Sequence, residues 1–219
     1  DHCLSRGLGD VYKRQAKIRS KINNKNDFSL SIKTNSRDEK VTNLFIEEPE
    51  PFIKNYKFIK GFTEGKLSYG SIEKNNETKA NLKIFDFKVQ DVPVLAKLLT
   101  LASLQGIADI LTGEGIRFNE FEMNYESNQS LTNINEMYAI GPAISILMEG
   151  YIDRNKLTSL RGTLVPATTI NKTISKIPLL GDILVGKKVG EGVFGVSFKI
   201  KGPPTVSYTH LTLPTKALV

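Results

Sequence analysis

Apolar and polar positions alternate over the first third of the chain. Phe28, Leu30 and Ile32 are interleaved with Ser29, Ser31 and Lys33, the period of two that belongs to a half-buried strand. Shorter runs at 44–46, 56–59 and 66–69 continue in the same manner, and Pro49, Pro51, Gly61, Gly65 and Gly70 mark the expected breaks between them. Residues 16–76 therefore predict a β meander. Residues 81–90 predict a further strand, with Phe85, Phe87 and Val89 on one side and Leu82 and Ile84 on the other.

At residue 91 the period changes. Val94, Leu95, Leu98, Leu101, Ala102, Ile107, Ile110 and Leu111 recur near helical spacing, with Asp91 placed as a cap, Pro93 in the first turn and Gly113 past the end. One helix is expected over 91–112, bent at Gly106. Its uncharged stretch, 98–108, falls well short of the roughly 20 residues a bilayer crossing needs. The helix must bury its apolar stripe, and the neighbouring sheet is the expected partner. Strands resume at 116–125, 133–140, 145–153 and 156–165, with hairpin-like spacing. Residues 168–186 predict a second helical interlude, where Ile170, Ile174 and Ile177 form a stripe that Pro178 ends. The last strand places Phe194, Val196, Phe198 and Ile200 on one face, against Val193, Gly195, Ser197 and Lys199 on the other. The fold class that follows is mainly β with a few helices.

The two ends change how composition is to be counted. GAT GTG TAT AAG AGA CAG is one coding of residues 10–15, and its opposite strand, read two bases in, spells Val206-Ser207-Tyr208-Thr209-His210. Both ends look like translations of the mosaic end of a transposase-type sequencing adapter. Residues 1–15 and 206–219 are therefore expected to lie outside the native fold, without regular structure. His2, His210 and Cys3 leave with them, and the chain has no tryptophan. The interior thus lacks the ligands of a zinc site and the histidine base that serine and cysteine nucleophiles rely on. Asp182 and Glu191 form the only acidic pair near a glycine-rich turn. No catalytic role, metal or cofactor is expected.

Setting aside Arg6, Lys13, Arg14, Lys216, Asp1 and Asp10 leaves 26 basic against 21 acidic residues. The bases alternate with Asn, Glu and Asp along strands, which describes a solvated face and gives no expectation of nucleic-acid binding.

Several phrases in fixed order carry a resemblance. Residues 82–87 (LKIFDF), 92–99 (VPVLAKLL), 102–106 (ASLQG) and 113–118 (GEGIRF) are followed by Gly141-Pro142-Ala143, Gly150-Tyr151-Ile152-Asp153, residues 162–166 (GTLVP), residues 177–181 (IPLLG) and residues 193–198 (VFGVSF), which leads to Gly202-Pro203. Over about residues 60–204 the chain resembles the C-terminal region of the AsmA-like family of bacterial envelope proteins, in its YhdP-like branch. Members of that family usually continue past the Gly-Pro into an Asn-Pro stretch, where this chain meets the adapter-like tail. The resemblance implies a long twisted antiparallel sheet curled into an apolar groove, in a periplasmic protein anchored in the inner membrane by parts of the parent chain absent here. It also implies phospholipid as the partner, carried between inner and outer membranes. Candidate lipid contacts are Phe85, Phe87, Phe194, Val196, Phe198 and Ile200, for which ordinary core covered by the helix over 91–112 is the favoured alternative. An alternative function is an assembly module that closes the groove and docks an envelope partner protein through its helices.

Overall fold

Eleven strands pair in strict chain order in one antiparallel sheet in the computed structural model, which describes residues 15–22, 26–53, 60–102, 104–166, 195–203 and 208–212. The first five are β1 (Gln15–Ile22), β2 (Asn26–Thr34), β3 (Lys40–Ile46), β4 (Lys60–Lys74) and β5 (Glu77–Gln90). Then come β6 (Ile116–Ser127), β7 (Leu131–Ile140), β8 (Ile144–Asp153), β9 (Thr158–Pro166), β10 (Val196–Gly202) and β11 (Tyr208–Thr212). Among the described residues three helices interrupt them: α1 (Glu50–Ile53), α2 (Pro93–Leu101) and α3 (Gln105–Thr112). β1 and β11 are not paired to each other, so the sheet is open.

The sheet also curls. α3 lies against β5, while α2, which packs on α3, reaches β11. Six strand steps on a flat sheet would cover about 29 Å at ~4.8 Å each. A nine-residue helix is only about 13 Å long, so both ends of this span come to the helix pair because the sheet bends round it. Its buried cluster joins Leu95, Leu98, Leu99, Ala108 and Leu111 of the helices to Phe87, Phe118, Ile144, Leu164 and Phe198 of the sheet.

Two helices stand where the sequence predicts one. The first helix ends at Leu101 and the second begins at Gln105, ahead of Gly106, and the Leu104 amide donates to the Leu99 carbonyl at 2.9 Å. The reason is angular. At about 100° per residue, Leu98 and Leu111 on one unbroken helix would point roughly 140° apart. The break turns both inward, and Leu111 is 0% exposed. Asp91 is not the cap either: Val92 occupies that position without a side-chain cap bond, and Asp91, at φ 50°, turns the chain from β5 into the helix.

Nor do the glycines break strands as expected. Gly61, Gly65 and Gly70 all lie within β4, and the first two mark irregularities with φ of 63° and 87°. β4 gains a residue against β5 between Lys60 and Thr63. Gly65 then stands opposite Asp86 (φ 52°), and Asp86 opposite Asn119. All three strands change phase at this line, so Phe62 and Leu67, Ile84 and Phe87, and Phe118 and Phe121 share one face despite their odd spacing. Further bulges shift the β6–β7 and β7–β8 registers near Asn135. Bulges bend strands and increase local twist, which accounts for the curl.

The tail differs from expectation as well. Tyr208–Thr212 forms β11, with Leu211 opposite Phe198 and Thr209 opposite Ile200. An edge strand such as β10 offers unpaired N–H and C=O groups to any extended segment, and a Thr- and Leu-rich stretch suits a pleated partner. The predicted interlude at 168–186, the run at 56–59 and the acidic pair Asp182 and Glu191 lie outside the described residues.

The two-helix arrangement sets an expected contrast in stability. Leu111→Ala should cost about 2–5 kcal/mol, whereas Val94→Ala, at a position 50% exposed, should stay within about 0.5 kcal/mol. Urea denaturation midpoints at unchanged m-value measure both, and comparable losses would contradict the helix break.

Candidate functional site

Register and alternation together sort the side chains into rows that run across the strands. One row consists of Ile18, Leu30, Leu44, Tyr69 and Leu82 on β1–β5. It continues directly through Met123, Met137 and Met148 on β6–β8 to Gly162 and Phe198 on β9 and β10. A second row on the same face runs from Phe28 and Ile46 to Leu164 and Val196, and a third from Ile32 through Tyr125 and Ile134 to Ile200. None of the side chains in these three rows carries a charge.

The face is unevenly covered. Phe62, Phe87 and Phe118 stack in succession with ring centroids 5.5 Å apart, and Phe121 meets Phe87 edge-on at 6.5 Å. This stack belongs to the same buried cluster as Leu95, Leu98 and Leu99 of α2, and such aromatic pairs contribute about 0.5–1.5 kcal/mol each beyond area burial. Burial extends to Leu160 and Leu164 on β9 and to Val196, Phe198 and Ile200 on β10, whereas the row from Ile18 to Met148 is more open. Ile18 is 51% exposed, and Leu30, Leu44, Tyr69, Leu82 and the three methionines are half-buried. Tyr69 and Tyr125 share a hydroxyl–hydroxyl hydrogen bond of 3.5 Å, which satisfies the polar ends of both. Burial first, and the Tyr69 partner second, push the Tyr125 phenol up from its ordinary value.

The predicted contact residues fall into three groups. Phe87, Val196, Phe198 and Ile200 lie on the apolar face and are buried, Phe198 to 3% exposure. Phe85 does not share their side. The phase change at Asp86 leaves it opposite Lys66 and Glu120 on the outer face, 37% exposed, and this corrects the grouping of Phe85 with Phe87 and Val89. Phe194 lies outside the described residues. Phe198 owes its position to Gly162: a Cβ there would stand 2.6 Å from Phe198 Cζ and would also strike the Leu147 carbonyl oxygen. The ring lies over a residue with no side chain and ends the methionine row.

Sequence reasoning missed that row and the Phe62–Phe118 stack. Neither has a local signature, because row membership depends on register between strands, and the phase change hides Phe118 from a strict period of two.

The outer face is polar and cross-braced. Glu122 accepts hydrogen bonds from Asn81 at 2.6 Å and Tyr138 at 2.6 Å and pairs with Lys83 at 2.9 Å, which ties β5, β6 and β7 together. Tyr138 also reaches Glu120 at 3.1 Å. Arg117 grips both oxygens of Glu64, at 2.8 and 3.0 Å, across the line of phase change, and this holds the Glu64 carboxyl below its ordinary value. Arg161 pairs with Glu149. Among the described residues no group of three or more His, Cys, Asp or Glu is placed to hold a metal.

Partial burial works to raise the Glu122 pKa, but the bonds from Tyr138, Lys83 and Asn81 together outweigh it, and the net shift is downward from 4.5. A carboxyl depressed in the folded state adds stability above its unfolded pKa and loses it as pH falls through the folded value. Thermal melts from pH 7 to pH 2 should therefore show a steep acid limb below about pH 4.3, and Glu122→Gln should flatten it. An unaltered limb in that variant would remove Glu122 from the account. No family model, no curated protein and no solved structure matches the chain.

Proposed function

We propose that this chain is a segment of a periplasmic bridge protein that carries phospholipid between the inner and outer membranes, with acyl chains resting on the apolar face and head groups in water. One observation supports the reading above all: three uncharged rows cross ten strands in register and, apart from the buried Ile46, remain half open to solvent over β1–β4. An apolar surface of that extent on a soluble sheet calls for an occupant, and hydrocarbon asks only for a lining that neither charges nor hydrogen-bonds it. Curvature supports it further, because a bent sheet with its apolar side inward forms a trough. The resemblance of residues 60–204 to the AsmA-like family points the same way and supplies the envelope location. Among the described residues no helix is long and apolar enough to cross a membrane, and anchoring is assigned to other parts of the parent protein.

A photo-crosslinking side chain at Ile32, on the apolar face, should capture phospholipid from vesicles of phosphatidylethanolamine and phosphatidylglycerol. The same group at Lys33, one residue away on the outer face, should not. Equal capture at the two positions, or capture at Lys33 alone, overturns the reading.

A second reading, an assembly module that docks an envelope protein, draws on the outer side of the helix pair, where Val94, Leu101 and Ile110 are 50%, 45% and 48% exposed. It predicts that Val94→Asp with Leu101→Asp abolishes a protein contact in cells while lipid capture at Ile32 persists. An unchanged set of crosslinked partners in that double variant would dispose of it.

A further inference from the structure

The chain contains three methionines, and all three stand side by side. Met123 lies directly opposite Met137, and Met137 directly opposite Met148, on three successive strands. Directly opposed residues on one face have Cβ atoms about 4.5–5.5 Å apart, so the thioether chains form one continuous strip across β6–β8. All three are half-buried, whereas the positions flanking Met137 on β7, Ala139 and Ile134, are buried. On β6 and β8 the flanking positions Phe121, Tyr125, Ile146 and Gly150 are half-buried as well, so of the three rows the methionine row is the one that stays half-open on β6, β7 and β8 alike.

We infer that Met123, Met137 and Met148 form a binding strip for a single lipid acyl chain, which lies across the strands along the row; this assignment rests on the lipid-bearing reading above. Three properties of the strip favour a hydrocarbon chain. It offers no charge and no hydrogen-bond donor, so a polar ligand would lose its water without compensation. Its side chains are unbranched, polarisable and rich in rotamers, which lets them follow the changing kinks of a mobile chain where β-branched residues would hold one shape. The half-buried row that contains it is also long enough: from Leu44 on β3 to Met148 on β8 it covers five strand steps, about 24 Å, and one acyl chain spans half of a hydrocarbon core of ~30 Å, about 15 Å. Phe198, folded over Gly162, closes the far end.

Because no other methionine is present, photo-methionine incorporated during expression, with any initiator methionine removed by a cleavable leader, places the crosslinker in the strip alone. Irradiation with phosphatidylethanolamine and phosphatidylglycerol vesicles should yield acyl-chain adducts on the peptides that contain Met123, Met137 and Met148. Adducts from a crosslinker at Ile32 with none on these peptides would overturn the strip and leave the wider reading standing. Adducts at neither would overturn both. As a second measurement, Met137→Gln, of similar length with a hydrogen-bonding end, should lower the lipid carried per protein several-fold at unchanged circular dichroism, while Met137→Leu retains most of it. Equal loading of the Gln variant and the parent protein would also overturn the proposal.

Discussion

Cross-strand register is the constraint on which everything else in this molecule depends. A strand turns alternate side chains to opposite faces, so a slip of one residue in a single pairing would send that strand's apolar set to water. Here β1 to β10 keep their phases matched, so Leu30, Leu44, Leu82 and Met123 fall in one line though they come from four separate strands. The phase change is itself matched. Gly65, Asp86 and Asn119 stand beside one another, and the three strands switch sides together. A change in one strand alone would have set Phe87 against the outer face of its neighbours. Made jointly, it brings Phe62, Phe87 and Phe118 into a stack below the helices.

The backbone cost of that line is met by residues suited to it. Glycine takes φ of 87° at position 65 without a steric penalty, and Asp, whose short polar side chain tolerates the left-handed region better than most, takes φ of 52° at position 86. Arg117 and Glu64 then clamp the outer side of the same line. Water and salt screen an exposed ion pair, so the clamp sets local geometry more than it adds stability. The Glu122 cluster acts in a more sheltered place, joining three strands through one carboxylate. Polar bracing outside and bulges within hold the sheet in a bend, and the bend sets its apolar side around the helix pair.

How much of this was legible in the sequence follows from the range of each signal. Strand β10 was readable from its own residues, because Val196, Phe198 and Ile200 alternate with Ser197 and Lys199 and all three are buried. The strands from β5 to β9 were equally plain, and the β-rich antiparallel class followed from them. The helical region was recognised, but its break was not. That break answers to the angular position of Leu111 relative to the sheet, which is a tertiary demand. Glycine reads in the sequence as punctuation between strands, whereas in β4 it supplies bulges inside one. A period of two carried through Asp86 puts Phe85 with Phe87, and only the neighbouring strands reveal that the period fails there.

The methionine row belongs to the same class of information. Residues 123, 137 and 148 have no common spacing, and their alignment exists only once the β6–β7 and β7–β8 bulges have each shifted the pairing by one. Without those shifts Met137 would sit one residue out of line with both neighbours, and its side chain would turn outward with the Glu122 cluster. The bulges that curve the sheet are therefore the same features that assemble the strip, and curvature and lining cannot be altered independently. A trough for hydrocarbon needs both properties at once: a concave shape, and an uncharged, compliant surface on the concave side. In this chain one set of backbone irregularities provides the two together.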